Sequence, residues 1–507
     1  MRKAIFIKNA VILTVSSLFL RFAGIIFKVW LASAIGSEGI GLYQLVFSVY
    51  VLASTFATSG ISTAVTRLTA DELALGTKKG VIKIFYRCIL LTLFLAVITI
   101  VILLFGARFI AEQLLSDARA TLSIKILSLS LPFMGISSCI RGYFIARRNA
   151  APTASGQIFE QIVRIVVVLL SVKAFAPYGL AYTCAAVLFG DTIAEASDCL
   201  FLYIRFLNDK KRLPKQTSSS RPPFSILRAV GHIALPITAG RYLNTGLRTI
   251  ENILVPKQLS KCNLVYNNAL SLFGMIKGMA LPVLFFPSTL LNSFSTLLIP
   301  EISEASAKKQ NGLVKSTVEQ ILKITAIISF IVGGIFLVAG RKIGFLIYKN
   351  NDVGFLLCAL SPIVPLMYLD SISDGILKGL DQQLFSFRTA VFDSALRIVL
   401  VIFLLPRFGI YGFLGIMYFS NLLTCFLNVG RLIKVSGVKL DVLNHLAFPL
   451  SGALSISLIF NALINRLIPC GDLVYIILLS IFSIAAYIGF LFWLKIISWD
   501  EIRSVFK

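Results

Sequence analysis

Of the 507 residues, 57% are hydrophobic and only 14% charged, with a mean hydropathy of +0.88; a soluble domain carries about a quarter of its residues charged, so that class is excluded. The formal net charge of +25 does not point to nucleic acid, because the basic residues are scattered over short loops without a basic domain or interleaved aromatic residues. The composition predicts an all-α, polytopic membrane protein.

Apolar runs of about 20 residues, the length that crosses a bilayer core, predict about fourteen transmembrane helices, near 9–33, 40–66, 83–106, 121–146, 153–175, 178–206, 225–254, 265–299, 316–339, 353–378, 385–405, 410–433, 441–466 and 473–497. The first begins with the basic segment MRKAIFIK but has no small-residue cleavage site, so it reads as a retained helix. It contains LFLRFAGIIFKVW, with Arg21 and Lys28. Their spacing of seven puts both on one helical face, two turns and about 10 Å apart.

The fifth span pairs Glu160 with Arg164, acid first at i, i+4, the favourable order on a helix. On the sixth, Asp191, Glu195 and Asp198 share a face; Asp198 suits a solvated end, while the deeper Glu195 is a candidate for a coupling proton or cation. The seventh span repeats the first span's pattern in TAGRYLNTGLRTI, with Arg241 and Arg248, the latter followed by Glu251. A cation at the centre of a membrane helix costs about 2.5 to 3.5 kcal/mol by insertion scales, and such residues turn to a protein interior or a watery cavity. Snorkelling or neutralisation by a neighbour explains any single one of them; the same pair in two helices suggests a cavity for anions. Lys277, in the eighth span ahead of Pro282 and Pro287, is a fifth candidate. In the eleventh, Asp393 and Arg397 repeat the acid-first pair. Self-neutralisation within the helix is the leading reading of both pairs, and a gate that exchanges partners is the alternative.

The eight cysteines lie singly and the two histidines, His232 and His445, are far apart. There is no nucleophile beside a base, no phosphate-binding loop and no metal-spaced cluster. No cofactor is expected; sodium, protons or the membrane potential would drive transport.

Leu131 to Tyr182 aligns without a gap onto Val364 to Gly415, matching Pro132 with Pro365, Gly142 with Gly375, Glu160 with Asp393, Arg164 with Arg397 and Gly179 with Gly412. The offset covers six helices, an even number, so the copies run parallel and are related by an axis along the membrane normal. This predicts two six-helix lobes, residues 1–206 and 225–435, joined by a cytoplasmic linker at 207–224 rich in Pro and Ser, with two further helices in 436–507. About 28 Lys and Arg lie near the side shared by both termini and the linker, against about 10 on the other, which places both termini in the cytoplasm.

The runs LFLRFAGIIFKVWLASAIGSEGIGLYQLVFSVY, ITAGRYLNTGLRTIENILVPKQL and GMALPVLFFPSTLLNSFSTLLIPEISEA resemble the stage V sporulation protein B group of polysaccharide-biosynthesis membrane proteins, within the superfamily of lipid-linked oligosaccharide flippases, MurJ-type lipid II flippases and multidrug extrusion transporters. The run Glu38 to Gln44 carries it most specifically. The resemblance implies movement of a polyprenyl pyrophosphate-linked sugar to the outer leaflet of a bacterial cell membrane, with Arg21 where the MurJ-type relatives use first-helix arginines and Lys277 near the place of their eighth-helix arginine. Lipid-linked glycan and membrane lipids are the expected partners of a chain acting as a monomer. Cation-coupled multidrug efflux is the alternative, disfavoured by the shortage of cavity acids; a membrane glycan polymerase or ligase is disfavoured by short loops without a catalytic acid and histidine constellation.

Overall fold

The computed structural model describes residues 2–58, 60–75, 78–211, 223–262, 264–438, 441, 443–467 and 471–496, and every element among them is helical. They form two compact units, Met1–Gly274 and Met275–Lys507.

The first unit holds α1 (Arg2–Thr58), α2 (Ile61–Ala74), α3 (Lys78–Phe109), α4 (Ala120–Ser128), α5 (Leu131–Ala146), α6 (Ala151–Phe175), α7 (Leu180–Lys210), α8 (Pro223–Leu259) and α9 (Tyr266–Gly274). Gly36 breaks α1 with φ 71° and ψ 176°, a backbone state that residues with a Cβ rarely adopt, so the helical run divides where the first two predicted spans part. The second predicted span, 40–66, is divided again at Gly60, φ 75°, between α1 and α2. The core lies among α2, α3, α5, α7 and α8, where Phe85 stacks on Phe206 at 4.0 Å and Tyr143 meets Phe206 edge-on at 5.0 Å; such ring pairs add about 0.5 to 1.5 kcal/mol to the area they bury.

The second unit begins with a π-helical turn, Met275–Ala280, and continues with α10 (Leu281–Phe285), α11 (Ser288–Ala307), α12 (Asn311–Tyr348), α13 (Asn351–Leu360), α14 (Val364–Gly379), α15 (Gln383–Ser436), α16 (Phe448–Leu467) and α17 (Asp472–Trp493). The last two helices dock on α12 through Ala326, Phe330, Ala453, Tyr487 and Leu491. Small residues allow the approach: a Cβ on Gly334 would lie 2.8 Å from the Ser457 hydroxyl. Leu458, Ile477, Ile481 and Ile488 stay exposed, as befits a face turned to lipid tails.

Eight described stretches are long and apolar enough to cross a membrane, or nine if the pair Ala120–Ser128 and Leu131–Ala146, bent by 41°, is one span. Two of them, Ile12–Ala74 with 63 residues and Gln383–Ser436 with 54, far exceed the roughly 20 residues of one crossing. The protein is a multi-pass membrane protein; fourteen passes remain the number the sequence predicts. The linker expected at 207–224 lies for the most part, at 212–222, outside the described residues. In the sequence match Gly179 faces Gly412, but the second copy breaks at Gly409, with φ 55°, three residues earlier. Local turn geometry has shifted there while the apolar pattern stayed in register.

Candidate substrate and coupling site

Arg21 and Lys28 on α1 and Arg241 and Arg248 on α8 all have exposed side chains. Among the described residues none of the four meets an acid within ion-pair distance. Glu251 is buried while Arg248, three residues before it, is exposed. The two cation-bearing helices belong to one compact unit. They meet along the second half of α1: the Thr249 hydroxyl donates to the Ser48 carbonyl at 3.1 Å, the Asn252 amide to the Ser48 hydroxyl at 2.9 Å, and Phe56 meets Tyr242 edge-on at 6.1 Å. Lys277 is half-buried in the π-helical turn that opens the other unit.

The acid and arginine pair of α6 is one link in a longer chain of charges. Arg164 reaches Glu160 at 2.5 Å, as its spacing predicts, and Asp191 on α7 at 2.9 Å. The other Glu160 oxygen accepts from Arg141 of α5 at 3.0 Å, and the same Arg141 nitrogen reaches Asp198 of α7 at 2.7 Å. Tyr43 of α1 donates to Asp191 at 3.4 Å. Self-neutralisation within α6 is therefore only part of the arrangement, because α5 and α7 bring their own charges to the same two residues. Glu195 stands within electrostatic reach of Arg141, Arg164, Glu160 and Asp198, and its Oε2 atom is buried with no hydrogen-bond partner, as is Asp198 Oδ1. Four carboxylates thus share two guanidiniums. An unpaired buried charge is expensive, so this cluster suits an added proton or cation.

The second unit is less charged at the corresponding places. Asp393 accepts from the Ser420 hydroxyl at 2.5 Å, and Asp370 accepts from the Asn428 amide at 2.8 Å; Arg397 is half-buried one turn after Asp393.

A third cluster lies beyond the α3 end of the first unit. Arg119 pairs with Glu38 of α1 and with Asp117, both at 2.7 Å, and reaches Asn267 of α9 at 3.4 Å. The hydrogen bonds that Arg119 donates to Asp117 hold its guanidinium above its ordinary pKa. Beside it the Tyr266 hydroxyl donates to the Leu115 carbonyl at 2.5 Å, and the Ser37 and Ser271 hydroxyls bond at 2.6 Å. Close backbone approach ties α9 to α1: a Cβ on Gly274 would stand 2.1 Å from the Ser37 carbonyl oxygen.

Sequence reasoning missed Arg141, Tyr43 and Arg119. Arg141 had a visible signal, a charge inside an apolar span whose matched position in the second copy, Asp374, carries the opposite sign.

The family model described as polysaccharide biosynthesis protein matches residues 6–261, half of the chain. Stage V sporulation protein B of Bacillus subtilis (strain 168) is 26% identical over 449 residues, 87% of this chain and 86% of the relative. Lipid II flippase MurJ of the same organism is 24% identical over 452 residues, 84% and 82% of the two chains. A solved structure of lipid II flippase MurJ in an inward closed conformation superposes with a TM-score of 0.71 at 13% identity, over 94% of this chain and 97% of that one; an inward-facing multidrug resistance MATE transporter of the MOP superfamily gives 0.65, also at 13%, over 83% and 96%. The helical architecture is that of these transporters, and the chain belongs to the polysaccharide biosynthesis protein family.

Proposed function

We propose that the protein is a flippase that moves polyprenyl-pyrophosphate-linked sugar precursors, lipid II or a polysaccharide repeat unit, from the cytoplasmic to the outer leaflet by alternating access. The observation that carries this reading is the set of four exposed cations on α1 and α8 that meet no acid among the described residues. A pyrophosphate is a dense anion that cannot enter hydrocarbon unaided, and the guanidinium fork of Arg21, Arg241 and Arg248 matches phosphate oxygens bidentately. Lys28 adds a point charge, and Lys277 is a further candidate cation in the second unit. The lipid tail stays in the bilayer while the head passes, so no covalent step is required and the chain works as a transporter rather than an enzyme.

In this reading fourteen helices form two lobes, 1–206 and 225–435, with the linker 207–224 between them and two extra helices in 436–507; both termini are cytoplasmic and the chain acts as a monomer. The surplus of carboxylates around Arg141 and Arg164 supports coupling to a proton or sodium ion at Glu195, Asp191 and their neighbours. Asp393 and Arg397 would serve the second lobe as a gate. The MATE likeness favours drug efflux as the second reading, but organic cations are repelled by the α1 and α8 charges. Translocation of lipid II in proteoliposomes, measured beside efflux of a cationic drug, separates the two: movement of lipid II supports the flippase, and drug efflux alone refutes it.

A further inference from the structure

Away from the cations assigned to the substrate, the ends of α5, α6 and α7 enclose a cavity of about 440 Å³ lined by Phe144, Asn149, Pro152, Arg205, Asn208, Asp209 and Lys211. Three observations give it a chemistry. Its one acid is already committed, since Asp209 accepts from the Tyr143 hydroxyl at 2.7 Å and from Arg147 at 3.0 Å, which leaves Arg205 and Lys211 as the charge offered to a ligand. The start of α6 carries no side-chain cap, and Pro152 of its first turn lines the cavity, so the positive end of a 25-residue helix adds to that charge. Finally, Leu200, Ile204 and Leu207 form an exposed apolar stripe on α7 at i, i+4 and i+7, and Lys211 is the next residue of that stripe, four positions on. Arg205, next to the stripe, lies over the Phe201 ring at 5.2 Å, which fixes its stem while leaving the side chain exposed.

We propose that this cavity binds the phosphodiester head of an anionic phospholipid, with the acyl chain lying along Leu200, Ile204 and Leu207. A basic pocket at a helix end that is continuous with an apolar stripe accommodates head and tail together, which a free phosphate does not require. The lipid is a bound regulator or structural partner, separate from the transported substrate, and its site stands whichever substrate is carried.

The test uses the full-length protein, exchanged into nanodiscs of phosphatidylcholine with a titrated fraction of phosphatidylglycerol, and reads bound lipid by native mass spectrometry together with the thermal midpoint. Wild type retains phosphatidylglycerol in preference to phosphatidylcholine, and its midpoint rises with the anionic fraction. In Arg205→Ala with Lys211→Ala the apparent affinity falls about tenfold, as expected for losing charge-assisted contacts, while the midpoint in pure phosphatidylcholine stays at the wild-type value because both side chains are exposed. Arg205→Lys alone keeps most of the preference while Arg205→Ala alone loses a large part of it, and this pair of single variants serves as the readout if the double variant fails to fold. An unchanged preference in the double variant, loss of the preference in Arg205→Lys as complete as in Arg205→Ala, or an equal midpoint rise with inorganic phosphate overturns the lipid assignment.

Discussion

Arg164 of α6 and Asp191 of α7 stand 2.9 Å apart across a helix interface, so the arginine that the sequence pairs with Glu160 one turn away is shared between two helices. That sharing decides how the charge pair responds to exchange. In Glu160→Arg with Arg164→Glu the net charge is kept, but the new arginine faces Arg141 and the new glutamate faces Asp191. The double variant is expected to lose folded stability, on the order of the 3 to 5 kcal/mol that a broken buried pair costs, and to lose transport with it. Wild-type melting and transport in this variant would show that the α5 and α7 charges do not act on the pair.

Glu195 gives a second expectation, drawn from its orphaned Oε2. Glu195→Gln removes the carboxylate without changing its size, so the protein should fold at least as well as wild type while transport no longer responds to an imposed proton or sodium gradient. The measurement is translocation with and without the gradient. A response as large as wild type's would remove Glu195 from coupling.

The close approach of α9 to α1 makes a third. Gly274→Val places branched carbon where even a Cβ lies 2.1 Å from the Ser37 carbonyl oxygen, which forces the two helices apart and strains the Ser37 and Ser271 bond. A cysteine at Ala269, buried on the same helix, should become several times more reactive to a thiol reagent in this variant than in the Ala269→Cys single variant. Equal labelling would mean that the contact is dispensable for closure.

Membrane orientation is tested at Ser116 and Asn149, both exposed and separated by one predicted span. Cysteines there should label from opposite faces of the membrane, Ser116→Cys from outside and Asn149→Cys from inside. Labelling of both from one face contradicts the predicted passes.

Much of the helical plan was legible in the sequence, because apolar run length reports directly on contact with lipid. The break at Gly36 lies where the first two predicted spans part, and Glu160 meets Arg164 because i, i+4 spacing alone sets that contact. What the sequence did not disclose is which helices are neighbours. Arg141 joins Glu160 and Asp198 from a third helix, and Arg119 joins Glu38 from 81 positions away; contacts of that kind depend on the order of helices in space, which periodicity does not encode. The three-residue shift between Gly412 and the break at Gly409 has the same origin, since a turn can move along a helix without disturbing the apolar pattern that drives an alignment.

The central claim is that the exposed cations of α1 and α8 hold a pyrophosphate. The most direct measurement is binding and translocation of lipid II in proteoliposomes containing Arg21→Ala, Arg241→Ala, Arg21→Lys or Arg241→Lys, with thermal stability recorded on the same preparations. The account predicts that both alanine variants melt like wild type, bind lipid II at least tenfold more weakly, a loss of the size expected when bidentate charged contacts are removed, and fail to translocate it, while the lysine variants recover part of the activity because charge is restored without the fork. Full translocation by both alanine variants, with wild-type affinity for lipid II, would contradict it.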